Sequence, residues 1–408
     1  MTKPKILRFL IFLVPLPFLL AQCLTESAKP GDPRGPLYAG PSSCASCHKS
    51  VYQSYMHTAH FMASGAATDS LVQGNFNKGF NEFVFNTQAK VVMNKTDSGM
   101  YQSSYVNSRV ELKRRFDVIF GGVKGQTYAY WLANELFQLP ISYVTNRHTW
   151  INSPGYDSTR AVFERAVNTR CLDCHMSFAK QEAPQLPNFY SGVEGFQKAS
   201  FVFSVDCERC HGPAAQHVKF HTDNPTEKTA KFIVPFRSLS REQKINMCAV
   251  CHSGSGSPII KPTFGFKPGD TLSKFIAVNR GPANTNYKFL DVHGNQKALL
   301  ESSKCFINSA LDCSTCHDTH VNDRDKLTLY ATKCMTCHSK TSHFQCKMAS
   351  KPSETMLTNN CISCHMPAFP SHTIVAGQQG ALVHTHHIGI YPEETEKILV
   401  YIKAQKAN

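Results

Sequence analysis

After its N-terminal segment, the sequence has no apolar run of the roughly 20 residues that a membrane-spanning helix needs. The one extended apolar run, 9–21, is short and follows the basic residues Lys3, Lys5 and Arg8, which is typical of the core of an export signal. We therefore expect residues 1–22 to be a signal peptide. The mature protein is then either soluble or held at a membrane surface.

The residues around Cys23 leave two alternatives open. Leu20-Ala21-Gln22-Cys23 is similar to a bacterial lipoprotein cleavage box, although Gln22 is unusual at its position. Lipidation of Cys23 would tether the protein to a membrane face without inserting it. Ordinary cleavage nearby would instead leave Cys23 free or remove it.

The seventeen cysteines lack the spacing of a disulfide framework. The pattern Cys-x-x-Cys-His occurs seven times, whereas chance would give roughly 0.03 copies in such a chain. In this pattern two thiolates add to the vinyl groups of one haem and the histidine binds its iron. The sequence therefore predicts an exported c-type cytochrome with seven covalently bound haems c. Numbered in chain order, the seven motifs contain the attaching cysteines Cys44, Cys47, Cys171, Cys174, Cys207, Cys210, Cys248, Cys251, Cys313, Cys316, Cys334, Cys337, Cys361 and Cys364. Their iron-binding histidines are His48, His175, His211, His252, His317, His338 and His365.

Acidic residues are few, with 29 Asp and Glu against 43 Lys and Arg, a formal charge of +14. This excess does not indicate a nucleic-acid partner. Loss of the signal removes three positive charges, and seven haems with two propionates each would bring the net charge to about +4. We expect many of the basic side chains to pair with propionates.

Histidines outside the motifs decide the sixth ligand of each iron. Two imidazole ligands give low-potential, low-spin haems that exchange single electrons, and twelve further histidines are enough for every haem. No motif ends in Lys, so one hallmark of multihaem nitrite reductases is missing. The twelve are His57, His60, His148, His217, His221, His293, His320, His343, His372, His384, His386 and His387.

Three cysteines lie outside the motifs: Cys23, Cys305 and Cys346. If Cys23 is lipidated or removed, the remaining pair favours a disulfide between Cys305 and Cys346, which suits an oxidising compartment. Two buried free thiols are the alternative.

The fold is expected to be mainly α, with long irregular connections wrapped around stacked haems. Between His48 and His175 lie 127 residues without a motif, so another core must fill that interval. Apolar alternation near residues 80–93 and 100–110, with a turn at 96–99, predicts a small antiparallel β insert at 70–150 near the first haem; irregular loop is the alternative. A terminal helix is expected at 392–406.

Four regions follow from these signals. Residues 1–22 form the signal peptide, and the Pro- and Gly-rich segment 23–42 a flexible linker. Residues 43–170 hold the first haem and the β-rich insert. Residues 171–408 form a six-haem cytochrome domain.

Several segments resemble the cytochrome c-554 superfamily of multihaem cytochromes over most of residues 43–390. These are Cys207-Glu-Arg-Cys-His-Gly-Pro-Ala-Ala-Gln-His217, Cys313-Ser-Thr-Cys-His-Asp-Thr-His320, Asp291-Val-His-Gly-Asn-Gln296, Ser303-Lys-Cys-Phe306, Cys361-Ile-Ser-Cys-His-Met-Pro367 and Tyr55-Met-His-Thr-Ala-His60. The resemblance implies stacked and angled haem pairs, mostly with two histidine ligands. It also implies that a histidine so soon after its motif as His320 ligates a neighbouring haem. The sixth ligands implied are His60, His217, His293, His320, His343 and His386.

Two functions compete at this point. The favoured one is electron transfer between exported redox partners, in the periplasm or on the outer cell surface. The alternative is an oxidoreductase that converts a small nitrogen or sulfur compound at one open haem, with Tyr128, Tyr130 and His148 as candidates for moving protons. A homo-oligomer or haem filament would be a third arrangement.

Overall fold

The structure is a computed structural model that describes residues 31–185, 192–254, 257–277, 291–338, 359–376 and 379–406. Residues 1–22, Cys23, His343 and Cys346 lie outside the described residues. The expected signal peptide, the lipidation of Cys23 and the disulfide between Cys305 and Cys346 therefore stay predictions.

Sixteen strands are present in the described residues. They are β1 Ser64–Ala66, β2 Glu82–Val84, β3 Ala89–Thr96, β4 Gly99–Val106, β5 Arg109–Arg115, β6 Val118–Phe120, β7 Gly125–Leu132, β8 Glu135–Gln138, β9 Ile141–Val144, β10 Thr149–Asn152, β11 Met176–Phe178, β12 Gln181–Glu182, β13 Gly195–Phe196, β14 Val202–Phe203, β15 Ala368–Ala376 and β16 Gln379–His384.

The helices are short, and most of them carry or flank a Cys-x-x-Cys-His motif. They are α1 Lys49–Tyr55, α2 Thr169–His175, α3 Cys207–His211, α4 Ala215–Asp223, α5 Arg241–His252, α6 Gln296–Glu301, α7 Lys304–Ile307, α8 Cys313–Cys316, α9 Leu327–Met335, α10 Cys361–His365 and α11 Pro392–Lys406. The first motif begins within a 3₁₀ helix at Pro41–Ser46, which contains Cys44. Helix α11 occupies the residues predicted for the terminal helix.

Local capping explains where several motif helices begin. The Asp206 side chain accepts from the backbone N–H of Arg209 at the start of α3. Ser240 and Gln243 form a capping box at the start of α5. Asp312 and Thr315 form a capping box at the start of α8. These caps satisfy N–H groups that a helix of one or two turns cannot satisfy internally, which allows such short helices to persist.

Two antiparallel sheets fill the long interval between the first and second motifs. The four-stranded sheet has the order β2-β3-β4-β5. The eight-stranded sheet runs β1-β6-β7-β8-β13-β12, with β9 also paired to β7 and β10 paired to β9. A Cβ at Gly125 would lie 2.7 Å from the carbonyl oxygen of Tyr143, so glycine permits the close approach of β7 and β9. Two further two-stranded sheets are present: β11 pairs with β14, and β15 forms a hairpin with β16.

An aromatic core joins the two sheets, and it contains no motif residue. Gln102, on the four-stranded sheet, is fully buried and exchanges two hydrogen bonds with the backbone of Ile141 in the other sheet. This polar bridge fixes the sheets against each other, because burial of an unpaired amide would be costly. The core side chains are Val91, Met93, Met100, Phe116, Ile119, Tyr128, Tyr130, Phe137, Leu139, Ile141, Tyr143, Trp150 and Phe163.

The expectation of a mainly α fold is wrong. Strands account for 23% of the chain, and one of the sheets is a curled antiparallel half-barrel. The β structure is also larger than the expected insert, since β11 to β14 follow the second motif and β15 and β16 follow the seventh. Helix accounts for 32% of the chain. The physical reason for the strands is that the long interval between the first and second motifs needs a core of its own, and it is built from the ten strands β1 to β10.

The sheets pack against the second motif. A second core cluster joins Val118, Phe120 and Leu136 of the sheet to Leu172 and Met176 around that motif. The ring of Phe120 lies 5.6 Å from that of His175, edge to face. Ser64 of β1 donates to the carbonyl oxygen of His175 at 2.7 Å.

Within the described residues, no helix combines the length and the apolar character required to cross a membrane.

Candidate haem-binding sites

Four motif histidines each face a histidine from elsewhere in the chain. In three pairs the imidazole planes are close to parallel, with interplanar angles of 12°, 25° and 28°, and in the fourth they are nearly perpendicular at 83°. The ring centroids are separated by 6.4 Å for His48 and His217, 6.0 Å for His211 and His320, 6.1 Å for His317 and His386, and 6.2 Å for His252 and His60.

These separations fit one metal ion between each pair of rings. A histidine nitrogen binds a transition metal at about 2.0–2.1 Å, so two imidazoles on opposite sides of one ion have centroids about 6.3 Å apart. Direct stacking of two rings would bring the centroids closer, and a chance contact would not repeat the distance four times. Each pair also lies beside its own Cys-x-x-Cys sequence, so the residues present fit a covalently attached haem.

Hydrogen bonds at Nδ1 leave Nε2 of several of these histidines available for a metal. A ligating histidine commonly uses its second nitrogen in this way, which orients the ring. The Nδ1 contacts are His217 with the Lys231 carbonyl oxygen at 2.8 Å, His252 with Gln296 Oε1 at 3.3 Å, His317 with the Tyr330 hydroxyl at 3.3 Å, His320 with Asp318 Oδ1 at 3.2 Å and His365 with the Gly389 carbonyl oxygen at 2.8 Å.

Burial favours the neutral form of two of the facing histidines, His60 and His386. Burial, reinforced by His252 and His317, lowers the pKa of His60 to about 4. Burial, reinforced first by His317, also lowers the pKa of His386 to about 4. The Nδ1 atom of His386 is buried and unpartnered in the protein. Only neutral imidazole binds a metal, so these environments favour ligation at neutral pH.

His293 lies near the histidine of the second motif. The pKa of His175 is lowered, mainly by burial and in part by the proximity of His293. Nδ1 of His175 lies 3.4 Å from the carbonyl oxygen of Ala63, which leaves its Nε2 free. His293 also lowers the pKa of His252, whose pKa is lowered mainly by burial. Because His252 already faces His60, the second motif is the one that His293 would serve.

The remaining histidines occupy varied surroundings. The sixth motif ends at His338 and the seventh at His365; His343, expected as a ligand, lies outside the described residues. His57 and His148 are exposed. Three further histidines contact other groups of the protein. The ring of His221 lies 4.6 Å from that of His217, Nδ1 of His384 lies 2.6 Å from the Met366 carbonyl oxygen, and Nδ1 of His387 lies 2.8 Å from Ser302 Oγ.

Thiols of different motifs meet in pairs. Each contact joins one cysteine of one motif to one cysteine of another at hydrogen-bonding range. The pairs are Cys44 with Cys207, Cys174 with Cys251, Cys248 with Cys313, and Cys334 with Cys361. Two further pairs, Cys210 with Cys251 and Cys316 with Cys334, are close enough for one thiol to raise the pKa of the other, but they form no hydrogen bond. The motifs therefore form one continuous cluster.

The side chains suggested for proton movement do not form a site. Tyr128 is fully buried in the aromatic core, and its hydroxyl donates to Gln126 Oε1 at 3.0 Å. Tyr130 donates to the carbonyl oxygen of Phe163 at 3.0 Å. His148 is exposed at the start of β10. The two tyrosine hydroxyls are therefore held by separate contacts within the core.

An ionic cluster at the third motif was missed by the sequence reasoning. Arg34, whose side chain is only 3% exposed, contacts Asp32 at 2.8 Å and both Asp206 and Glu208 at 2.9 Å. Glu208 also accepts from the backbone N–H groups of Ala39, Gly40 and Ala214. The described part of the expected linker is thus tied to α3. Its Pro- and Gly-rich composition gave no signal for this.

Comparisons with known proteins agree with this geometry. The family described as cytochrome c554 and c-prime matches residues 146–212, which include the second and third motifs. The multiheme cytochrome MtrA of Shewanella baltica (strain OS185) is 26% identical over 203 residues, covering 48% of this chain and 51% of that protein. The chain thus spans about half the length of this curated relative.

A solved structure has a similar fold. The outer cell wall cytochrome OcwA matches with a TM-score of 0.51 and 15% identity, covering 88% of this chain and 81% of that one. The repeated Cys-x-x-Cys-His sequences and the histidines spaced for iron between them agree with this similarity to multihaem c-type cytochromes.

Proposed function

We propose that the protein carries seven haems c, mostly with two histidine ligands, and that it conducts electrons between exported redox protein partners. The observation that carries the proposal is the set of four histidine pairs with centroids 6.0–6.4 Å apart. Haem c with two strong nitrogen ligands supplies reversible one-electron chemistry. What the chain adds is attachment, ligand orientation and close spacing.

The ligand pairs interlock distant parts of the sequence. His217 follows the third motif but faces the first, and His320 follows the fifth motif but faces the third. His60 follows the first motif but faces the fourth. Each proposed sixth ligand therefore joins two attachment sites. Such cross-linking keeps neighbouring cofactors at fixed distances, which electron transfer requires.

The thiol contacts support a definite order of motifs in space. The first meets the third, the third lies near the fourth, and the fourth meets the fifth. The fifth lies near the sixth, which meets the seventh. The second motif joins this line from the side, through contact of Cys174 with Cys251 of the fourth. We propose a continuous line of six haems with a seventh branching from the fourth.

We place the protein outside the cytoplasm, in the periplasm or on the outer cell surface. The basic and apolar start of the chain and the covalent haem motifs support export. The name of the structurally similar OcwA describes an outer cell wall cytochrome, in keeping with this location. Attachment to a membrane through lipidated Cys23, or association with further copies, would be compatible with the same function.

The cofactor count and the electron count test the proposal together. Intact mass spectrometry of the purified protein should give the mass of the mature chain plus seven haems. Coulometric titration of the same sample should then take up seven electrons reversibly per chain. Fewer attached haems would contradict the count of seven. Seven haems of which some cannot be reversibly reduced would contradict the conduction of electrons through all of them.

A further inference from the structure

The carboxylate of Asp291 lies between the loop that carries His293 and the hairpin β15–β16. Its Oδ1 accepts the backbone N–H of His293 at 2.8 Å. Its Oδ2 accepts the backbone N–H of His372 at 2.6 Å. The hydroxyl of Ser371, which is 1% exposed, lies 3.3 Å from Oδ1. One side chain thus fixes both the histidine loop and the strand beside it.

The same loop has tethers at its other end. The backbone N–H of Gly254, just after the fourth motif, donates to the carbonyl oxygen of Gly294 at 2.8 Å. The Gln296 side chain bonds both the carbonyl oxygen of His293 and Nδ1 of His252. His293 is therefore held from the fourth motif on one side and from β15 on the other. Asp291 makes the second of these connections.

The chemistry of the carboxylate suits this task. Two carboxylate oxygens provide about four lone-pair sites, so one aspartate can accept from a turn and from a neighbouring strand simultaneously. An asparagine has only one accepting oxygen and could preserve the turn or the connection to β15, but not both. Aspartate is thus required by the number of donors that converge on residue 291.

We propose that Asp291 is a positioning residue for the second haem: it holds the loop of His293 in place as a ligand for the iron that His175 would bind, and it ties that loop to the hairpin β15–β16. The inference rests on the proposed ligation of the second haem by His293. Ring orientation and hydrogen bonding of a ligand's surroundings tune its metal. The hairpin leads from the seventh motif to His386, which faces the fifth motif, so three sites share one structural support.

The test uses the full-length, haem-loaded protein and three variants, Asp291→Ala, Asp291→Asn and His293→Ala. Asp157→Asn is the matched control, because Asp157 Oδ1 accepts from the backbone N–H of Thr159 at 2.8 Å in the same kind of turn, on an exposed loop. Intact mass confirms haem loading in each sample. Low-temperature electron paramagnetic resonance then resolves the ligand field of the haems.

We expect His293→Ala to convert about one haem in seven to high spin without loss of haem. Asp291→Ala should perturb the same component, either by a shift of its low-spin g values or by partial conversion to high spin. Asp291→Asn should give a smaller change in that component, and Asp157→Asn none. If His293→Ala changes a component and Asp291→Ala leaves it as in the wild type, the role of Asp291 is wrong. If His293→Ala leaves every haem low-spin, the proposed ligation itself is wrong.

Discussion

At the scale of single residues, the Cys-x-x-Cys-His motifs are local and could be read directly from the sequence. The pairing of their histidines is not local, since His60 and His252 face each other across 191 intervening residues. The resemblance to a family suggested which histidines to consider, but not which motif each would face. Such pairs depend on the whole fold, so the spacing of residues along the sequence does not predict them.

The first residue-scale prediction concerns His320. Its replacement by alanine should leave the iron of the third motif with one protein ligand, because the facing ring at 6.0 Å is removed. About one haem in seven should become high-spin in the electron paramagnetic resonance spectrum, while intact mass shows every haem still attached. His57→Ala is the control, since His57 is exposed. Equal spectra for the two variants would refute the pairing.

A second prediction concerns the buried ionic cluster around Arg34. Arg34→Ala removes the positive charge that pairs with Asp206 and Glu208, whose side chains are only 3% and 1% exposed. Breaking a buried ion pair costs about 3 kcal/mol in the free energy of unfolding. Arg160→Ala removes an exposed pair with Asp157 and should cost less than about 1 kcal/mol. Urea unfolding at pH 7 measures both; similar losses would show that burial does not strengthen the cluster.

The pH dependence of the Arg34→Ala effect follows from Asp32. Burial raises the pKa of Asp32, but the hydrogen bonds and the charge of Arg34 outweigh it and hold that pKa below its ordinary value of 3.8. A carboxyl with a lowered folded-state pKa contributes stability above its ordinary pKa and loses it as pH falls. The difference in free energy of unfolding between the wild type and Arg34→Ala should therefore be constant near neutral pH and become smaller below about pH 4.

At the scale of elements, local patterns were informative where a turn or a helix depends on its own residues. The predicted turn at 96–99 joins β3 and β4, with Thr96 paired to Gly99 and a glycine φ of 126° that other residues avoid. The pattern failed for strands of two or three residues such as β11 to β14, which are too short to show alternation. These strands exist because distant segments pair with them. The fold class was wrong mainly because the ten strands of the first long interval were expected to form only a small insert.

An element-scale prediction tests the bridge between the two sheets. Gln102→Ala should lower the free energy of unfolding by about 2 to 4 kcal/mol, because both backbone groups of Ile141 lose a buried partner. Gln88→Ala, on an exposed turn, should change it by less than about 0.5 kcal/mol. Urea unfolding followed by far-ultraviolet circular dichroism measures both. A loss at Gln102 no larger than that at Gln88 would show that the sheets do not depend on this contact.

At the scale of the whole molecule, we propose that the cofactor sites form a line, because thiol contacts connect the motifs one after another. The sheets have a core of their own, and a second cluster of apolar side chains packs them against the second motif. This is the motif that we propose branches from the line. The sequence showed that something other than haem fills the first long interval. It could not show which motif that structure would cover, because the packing joins residues far apart in the chain.

The order of cofactors gives a whole-molecule prediction. A cryo-electron microscopy structure of the haem-loaded protein should show neighbouring irons in the order first, third, fourth, fifth, sixth and seventh, with the second beside the fourth. The thiol contacts of Cys44 with Cys207 and of Cys174 with Cys251 carry this expectation. A second haem placed within the main line, or a first haem remote from the third, would contradict the order.

We propose that the irons transfer electrons and that two protein ligands on each iron, most of them histidines, close it to substrates. Low-temperature electron paramagnetic resonance of the air-oxidised protein, integrated against total haem iron, tests it most directly. We predict that low-spin ferric signals account for all of the iron. A high-spin signal equal to about one haem in seven would contradict the claim, because it would reveal an open iron and point to chemistry on a small nitrogen or sulfur compound.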